Sequence, residues 1–70
     1  MTFTIETEQE TDNRWIAEIM ELAGVLAYGT TRDEALARAK ALALRVIAER
    51  LEHGEEPSAL TTIAFAATRV

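Results

Sequence analysis

The chain contains no cysteine, which excludes disulfides and thiolate metal sites. Its single histidine, His53, is expected to complement the end of a helix, and its single serine, Ser58, follows Pro57 in a turn-like segment. The three glycines are scattered, so they do not form a phosphate-binding loop. No set of residues has the composition of a catalytic site, and we expect a non-enzymatic protein without a cofactor or a bound metal.

Long hydrophobic runs are also missing, although 49% of the residues are apolar. No segment is long enough to cross a membrane and no signal peptide is evident, so we expect a cytoplasmic protein that does not bind membranes. The 70 residues form one domain, 1–70. A chain of this size buries only about 60% of its unfolded surface. Because its core is small, we expect a homo-oligomer.

Positive charge is scarce in the N-terminal third. Residues 1–21 contain one cation, Arg14, and six carboxylates, and the whole chain has a net charge of −5. The six are Glu6, Glu8, Glu10, Asp12, Glu18 and Glu21. Such a surface repels phosphate, so we expect no direct contact with nucleic acid and favour a basic protein partner. A purely solubilising role for these charges is the alternative.

Alternation of apolar and polar residues predicts four strands. Residues 2–8 place Phe3 and Ile5 on one face, and residues 14–20 place Trp15, Ala17 and Ile19 on one face and Ile16, Glu18 and Met20 on the other. The polar residues between these two segments predict a hairpin. Apolar segments at 25–28 and 60–67 predict the third and fourth strands.

A long helix is predicted over residues 32–53. Thr31 is a suitable N-cap, and Glu34 three residues later completes the pattern of a capping box. Gly54 and Pro57 mark the end of the helix. The apolar stripe expected to face the core consists of Ala35, Leu36, Ala39, Leu42, Ala43, Val46 and Ile47.

A second row on this helix has two interpretations. It consists of Ala37, Ala41, Leu44, Ala48 and Leu51. Alanine is the best helix former, which explains most of the row without any partner. Alternatively, the row is an oligomer face, because Leu44 would be exposed without a partner chain.

The predicted fold class is α+β with the element order β-β-β-α-β. Three strands form an antiparallel meander, the helix packs on one face, and a right-handed crossover makes strand four parallel to strand one. The expected spatial order is 3-2-1-4. Glu6, Glu8, Glu18 and Glu34 are the residues considered for a divalent cation. Because the fourth strand has no acidic residue, a metal-dependent nuclease is the residual third alternative.

Three segments carry a family resemblance. They are residues 15–25 (WIAEIMELAGV), residues 27–31 (AYGTT) and residues 34–35 (EA). In this order they resemble the HicB antitoxins, in which a strand ending E-L-P-G-V precedes a short strand, G-x-T and a helix opening x-E-A. Ala23 stands where the family usually has proline. Here Gly24 and Gly29 are expected to serve tight backbone turns.

The resemblance implies a partial ribonuclease H-like fold without nuclease activity. It also implies binding to a small basic HicA-type toxin, an mRNA-cleaving protein that the antitoxin neutralises. We expect partner binding at Glu6, Glu8, Glu18, Glu21 and Tyr28. Many HicB antitoxins carry a separate DNA-binding domain, and we expect none here. The alternative function is an orphan homo-oligomer, regulatory or structural, with no toxin partner.

Overall fold

A computed structural model describes residues 1–55 and 62–68 of the chain. The strands are β1 (Thr2–Gln9), β2 (Trp15–Ile19), β3 (Leu26–Gly29) and β4 (Ala64–Thr68). The helix α1 (Arg32–Glu52) lies between β3 and β4 in the chain. The predicted element order is therefore confirmed. The part of the fourth predicted strand at residues 60–61 lies outside the described residues.

The four strands form one mixed sheet in the order β3-β2-β1-β4. β1 pairs with β2 and β2 pairs with β3 in antiparallel fashion, whereas β1 pairs with β4 in parallel. This is the predicted order and the predicted parallel pairing. α1 packs against β3, β2 and β1, so one face of the sheet is covered by the helix and the other, called the open face below, is not.

The core lies between α1 and the covered face. Buried and exposed residues alternate along β1 and β2 as the sequence predicts, and α1 contributes one buried stripe. The buried apolar residues are Phe3, Ile5, Ala17, Ile19, Leu22, Val25, Ala35, Leu36, Ala39, Ala43 and Ile47. Leu42 and Val46, also expected in the stripe, are partly buried and pack against this cluster.

The ends of α1 follow the predicted signals with one difference. The hydroxyl of Thr31 accepts a hydrogen bond from the backbone N–H of Glu34 at 3.1 Å. The carboxylate of Glu34 accepts from the backbone N–H of Thr30 at 3.1 Å, one residue before the N–H of a standard capping box. His53 is the C-cap, and Gly54 follows in the left-handed region with φ +71°.

Glycine is needed at position 29, but the predicted reason, a tight turn, is wrong. A Cβ built on Gly29 would lie 2.5 Å from the backbone nitrogen of Ala35. Gly29 is therefore required because the end of β3 touches the start of α1. Gly24 does adopt a turn conformation, with φ +79°, and a Cβ there would meet nothing within 4 Å.

Candidate protein-binding face

The side chains of the open face form two rows across the sheet. In the first row Tyr28 of β3 lies opposite Ile16 of β2, which lies opposite Glu8 of β1. In the second row Glu18 lies between Leu26 of β3 and Glu6 of β1. The face thus changes from apolar at β3 to acidic at β1.

The acidic side of this face contains a shallow groove of about 220 Å³. It is lined by Glu6, Thr7, Glu8, Glu10, Ile16 and Glu18. This set is called the acidic groove below. Four of its residues are glutamates around the apolar side chain of Ile16. Such a site suits a cationic side chain whose aliphatic stem packs on an apolar floor.

Glu6 and Glu18 are direct cross-strand partners in the antiparallel pairing of β1 with β2. Side chains at such positions have Cβ atoms about 4.5–5.5 Å apart, and like charges there destabilise the sheet. Both residues are exposed, and neither forms an ion pair in the described part of the chain. The protein therefore holds a repulsive pair that a cation between the two carboxylates would relieve.

Arg14 lies at the β3 side of the open face. The guanidinium of Arg14 lies over the ring of Tyr28, with Cζ 4.8 Å from the ring centroid. Its Nε also donates to Asp12 at 2.7 Å, and its backbone N–H donates to the same carboxylate at 3.1 Å. That backbone hydrogen bond lowers the pKa of Asp12 below its ordinary value, and the arginine charge acts in the same direction. Arg14 is thus held at the hairpin, away from Glu6 and Glu18.

Glu21 lies apart from the acidic groove. Its Oε1 accepts a hydrogen bond from the backbone N–H of Thr4 at 2.7 Å, at the point where the β1–β2 ladder ends. This hydrogen bond lowers the pKa of Glu21 below its ordinary value. Glu21 therefore completes the sheet at this position, whereas Glu6, Glu8 and Glu18 line the acidic groove.

Of the five residues expected to bind a partner, the structure brings Glu6, Glu8 and Glu18 together. Tyr28 lies at the margin on β3, one strand from Glu18 and two strands from Glu6 and Glu8, and its exposed fraction is 40%. Sequence reasoning did not select Glu10 and Ile16 for this site. Their signal was present, because Ile16 shares the strand face of Glu18 and Glu10 continues the acidic series into the hairpin.

The carboxylates considered for a cation do not converge. Glu34 lies on α1, on the opposite side of the sheet from Glu6, Glu8 and Glu18. Within residues 1–55 and 62–68 no group of three or more histidine or acidic side chains is arranged to hold a metal. The ring Nδ1 of His53 lies 2.8 Å from the carbonyl oxygen of Glu49, which agrees with its expected place at the end of the helix.

The second helix row, Ala37, Ala41, Leu44, Ala48 and Leu51, is exposed along its whole length. The exposed fractions of Leu44 and Leu51 are 45% and 41%. This row lies away from the sheet covered by α1. It is a second apolar surface, separate from the acidic groove.

Comparison with protein-family models, curated proteins and solved structures finds no match to this chain. In the described ranges no helix has both the length and the apolar character that crossing a bilayer requires.

Proposed function

We propose that this chain is a non-enzymatic, cytoplasmic HicB-like protein that binds and neutralises a small basic HicA-type mRNA-cleaving toxin. The proposal includes a partial ribonuclease H-like fold as its structural frame. The observation that carries it is the juxtaposition of Glu6 and Glu18 in the acidic groove. The family resemblance of the sequence supports the identity of the partner.

The free acidic groove holds two like charges close together. The two carboxylates repel each other across the β1–β2 pair. A lysine or arginine side chain that enters between them replaces this repulsion by attraction and so lowers the free energy. A basic toxin supplies such side chains on the surface with which it would hold RNA phosphates. Binding of that surface to the acidic groove therefore competes directly with binding of RNA.

The acidic groove also affects the rate of association. The net charge of −5 creates an attractive field for a basic protein and increases the encounter rate at low salt. Ile16 at the floor and Tyr28 at the margin add apolar contact area beside the charges. Covering the RNA-binding surface of the toxin would inhibit it without any catalytic group on this chain.

The test is co-expression with the small basic protein encoded in the neighbouring reading frame, followed by affinity measurement and an RNA-cleavage assay. The double variant Glu6→Gln/Glu18→Gln should bind at least about tenfold more weakly, which is ~1.4 kcal/mol, and should inhibit cleavage less. The matched control Glu49→Gln/Glu52→Gln removes the same charge from α1 and should bind like the wild type. Equal weakening by both pairs would reduce the effect to net charge, and no complex with any basic ribonuclease would refute the proposal.

A second candidate function is an orphan homo-oligomer, regulatory or structural, without a toxin. The exposed row of Leu44 and Leu51 with its three alanines favours it, because monomeric proteins rarely expose a continuous apolar row. Light scattering of the purified protein distinguishes the two functions. A stable self-assembly that Leu44→Lys dissociates, with no affinity for a basic partner, would support this second function.

A further inference from the structure

The strand register places Arg14 beside the acidic groove. β1 and β2 pair Gln9 with Trp15, and continuing this register by one residue sets Glu10 opposite Arg14. The backbone N–H of Glu10 donates to the carbonyl of Arg14 at 2.7 Å, which agrees with that pairing. Directly opposite side chains of an antiparallel pair have Cβ atoms about 4.5–5.5 Å apart. A carboxylate of the groove, that of Glu10, is therefore within reach of Arg14.

Arg14 does not pair with this carboxylate. Its ion pair is with Asp12, and its guanidinium lies over the ring of Tyr28 with Cζ 4.8 Å from the ring centroid. Neither of the two ion pairs in the described ranges includes Glu10. Opposite charges at directly facing positions attract each other across a strand pair. The orientation of Arg14 away from Glu10 therefore needs a cause.

Asp12 supplies this cause. Its Oδ1 accepts a hydrogen bond from the backbone N–H of Arg14 at 3.1 Å, which fixes the carboxylate beside the base of the arginine side chain. Its Oδ2 accepts from Nε of Arg14 at 2.7 Å. Asn13 lies between the two residues with φ +70°, a left-handed conformation that asparagine tolerates in turns. The hairpin thus presents a fixed acceptor for the guanidinium outside the residues that line the acidic groove.

The contact between Asp12 and Arg14 lies at the surface. The exposed fractions of the two side chains are 53% and 56%, and ion pairs of this kind contribute little to stability. Its larger consequence concerns charge, because Arg14 is the single basic side chain of residues 1–21. While Arg14 is held on Tyr28, the acidic groove is lined by four glutamates and no cation. A guanidinium inside the groove would neutralise one of those four charges.

We propose that Asp12 is a positioning residue of the acidic groove, which holds Arg14 on Tyr28 and so keeps this chain's own cation out of the place of a partner's lysine or arginine. Released from Asp12, the guanidinium pairs with Glu10 and competes with the incoming side chain. The inference deepens the proposed binding of a basic partner and rests on it. The position of Arg14, however, is a property of the isolated protein.

Asp12→Asn tests that position without a partner. The amide oxygen still accepts a hydrogen bond from the backbone N–H of Arg14, whereas the negative charge that holds Nε is gone. In the wild type, the ring of Tyr28 should shift the side-chain protons of Arg14 upfield in the NMR spectrum. This shift should largely disappear in Asp12→Asn. An upfield shift that persists would overturn the proposal, because Arg14 would then stay on Tyr28 without Asp12.

A tetralysine peptide with blocked ends measures the effect on the groove. NMR titration at low ionic strength gives its affinity, because salt screens exposed charges. Asp12→Asn should weaken binding by about two- to fivefold, the effect of one exposed ion pair. Arg14→Gln in the Asp12→Asn background should restore the affinity. In the wild-type background Arg14→Gln should change it much less, since Arg14 is already held outside the groove.

The comparison of the two backgrounds separates position from net charge. Arg45→Gln removes one exposed cation from α1 and is the matched control, so it should change the affinity by the same factor in both backgrounds. Equal factors for Arg14→Gln, in a protein that binds the peptide, overturn the role of Asp12 and leave the proposed function standing. A wild type with no affinity for the peptide overturns the proposed function of the groove and this inference with it.

Discussion

Nε of Arg32 donates a hydrogen bond to the hydroxyl of Thr7 at 3.2 Å, and this contact joins the first turn of α1 to the middle of β1. Thr7 is 1% exposed and is the one buried polar side chain among the described residues. It occupies the position in β1 where alternation would otherwise place another core aliphatic residue. The hydroxyl accepts a hydrogen bond from the partly buried guanidinium of Arg32. A charged donor that is removed from water needs such an acceptor.

Thr7→Val should lower the free energy of unfolding by about 1–2 kcal/mol, because it leaves a charged donor without its acceptor. Urea denaturation followed by circular dichroism measures the change. In the background of Arg32→Met the same substitution should cost much less, since no donor remains. Equal costs in both backgrounds would show that the hydrogen bond does not stabilise the fold.

Gly29→Ala should be among the most damaging single substitutions, with a loss of at least about 2 kcal/mol, because the added methyl group meets backbone at the start of α1. Thermal unfolding is the measurement. Gly24→Ala is the matched control, since there the cost is only that of a positive φ, about 1 kcal/mol. A smaller loss at position 29 than at position 24 would contradict the close approach of β3 to α1.

Glu21→Gln should reduce stability at neutral pH and have little effect in acid. The pKa of Glu21 in the folded protein is lowered from its ordinary value of 4.5, so its contribution is present above that value and is lost as the pH falls through the folded pKa. Unfolding at a series of pH values tests this sign. The curves of variant and wild type should converge at low pH. Parallel curves would mean that the hydrogen bond to Thr4 does not depend on the charge of Glu21.

The pKa of Asp12 is lowered in the same direction from an ordinary value of 3.8. Asp12→Asn should therefore reduce stability at neutral pH as well, and its difference from the wild type should disappear as the pH falls through the folded pKa of Asp12. Unfolding at a series of pH values measures this. A difference that persists unchanged in acid would contradict a role for the charge of Asp12.

Glu18→Gln should stabilise the isolated protein by about 0.2–1 kcal/mol, because it removes the repulsion with Glu6 across the β1–β2 pair. The gain should shrink as salt rises, since exposed charges are screened. Urea denaturation at low and high ionic strength measures both effects. Glu52→Gln removes one exposed charge from α1 and is the control. A loss of stability on Glu18→Gln would show that the pair is not repulsive.

Much of the fold follows from local sequence patterns. Alternation of Phe3 and Ile5 with polar neighbours predicts both the strand and the face that it buries. Thr31 and Gly54 mark the two ends of α1 within one residue of their observed positions. These signals succeed because caps and alternation depend on neighbours in the chain.

The features that the sequence does not predict depend on contacts between residues far apart in the chain. Glu21 was expected to bind a partner, but its carboxylate binds the backbone of Thr4, 17 positions away in the chain. The contact of Arg38 with the carbonyl of Tyr28 likewise depends on where α1 lies over the sheet. The sequence indicates the charges, whereas the strand register decides that Glu6 meets Glu18.

The parallel pairing of β1 with β4 has a consequence for folding. The amino group of Met1 donates to the carbonyl of Thr62 at 2.8 Å, across 61 positions of the chain. Closing so long a loop costs more entropy than forming the hairpins or the helix, so β4 should dock last and limit the folding rate. Until then the central strand β1 is itself an open edge. The chain is thus most exposed to wrong pairing before β4 docks.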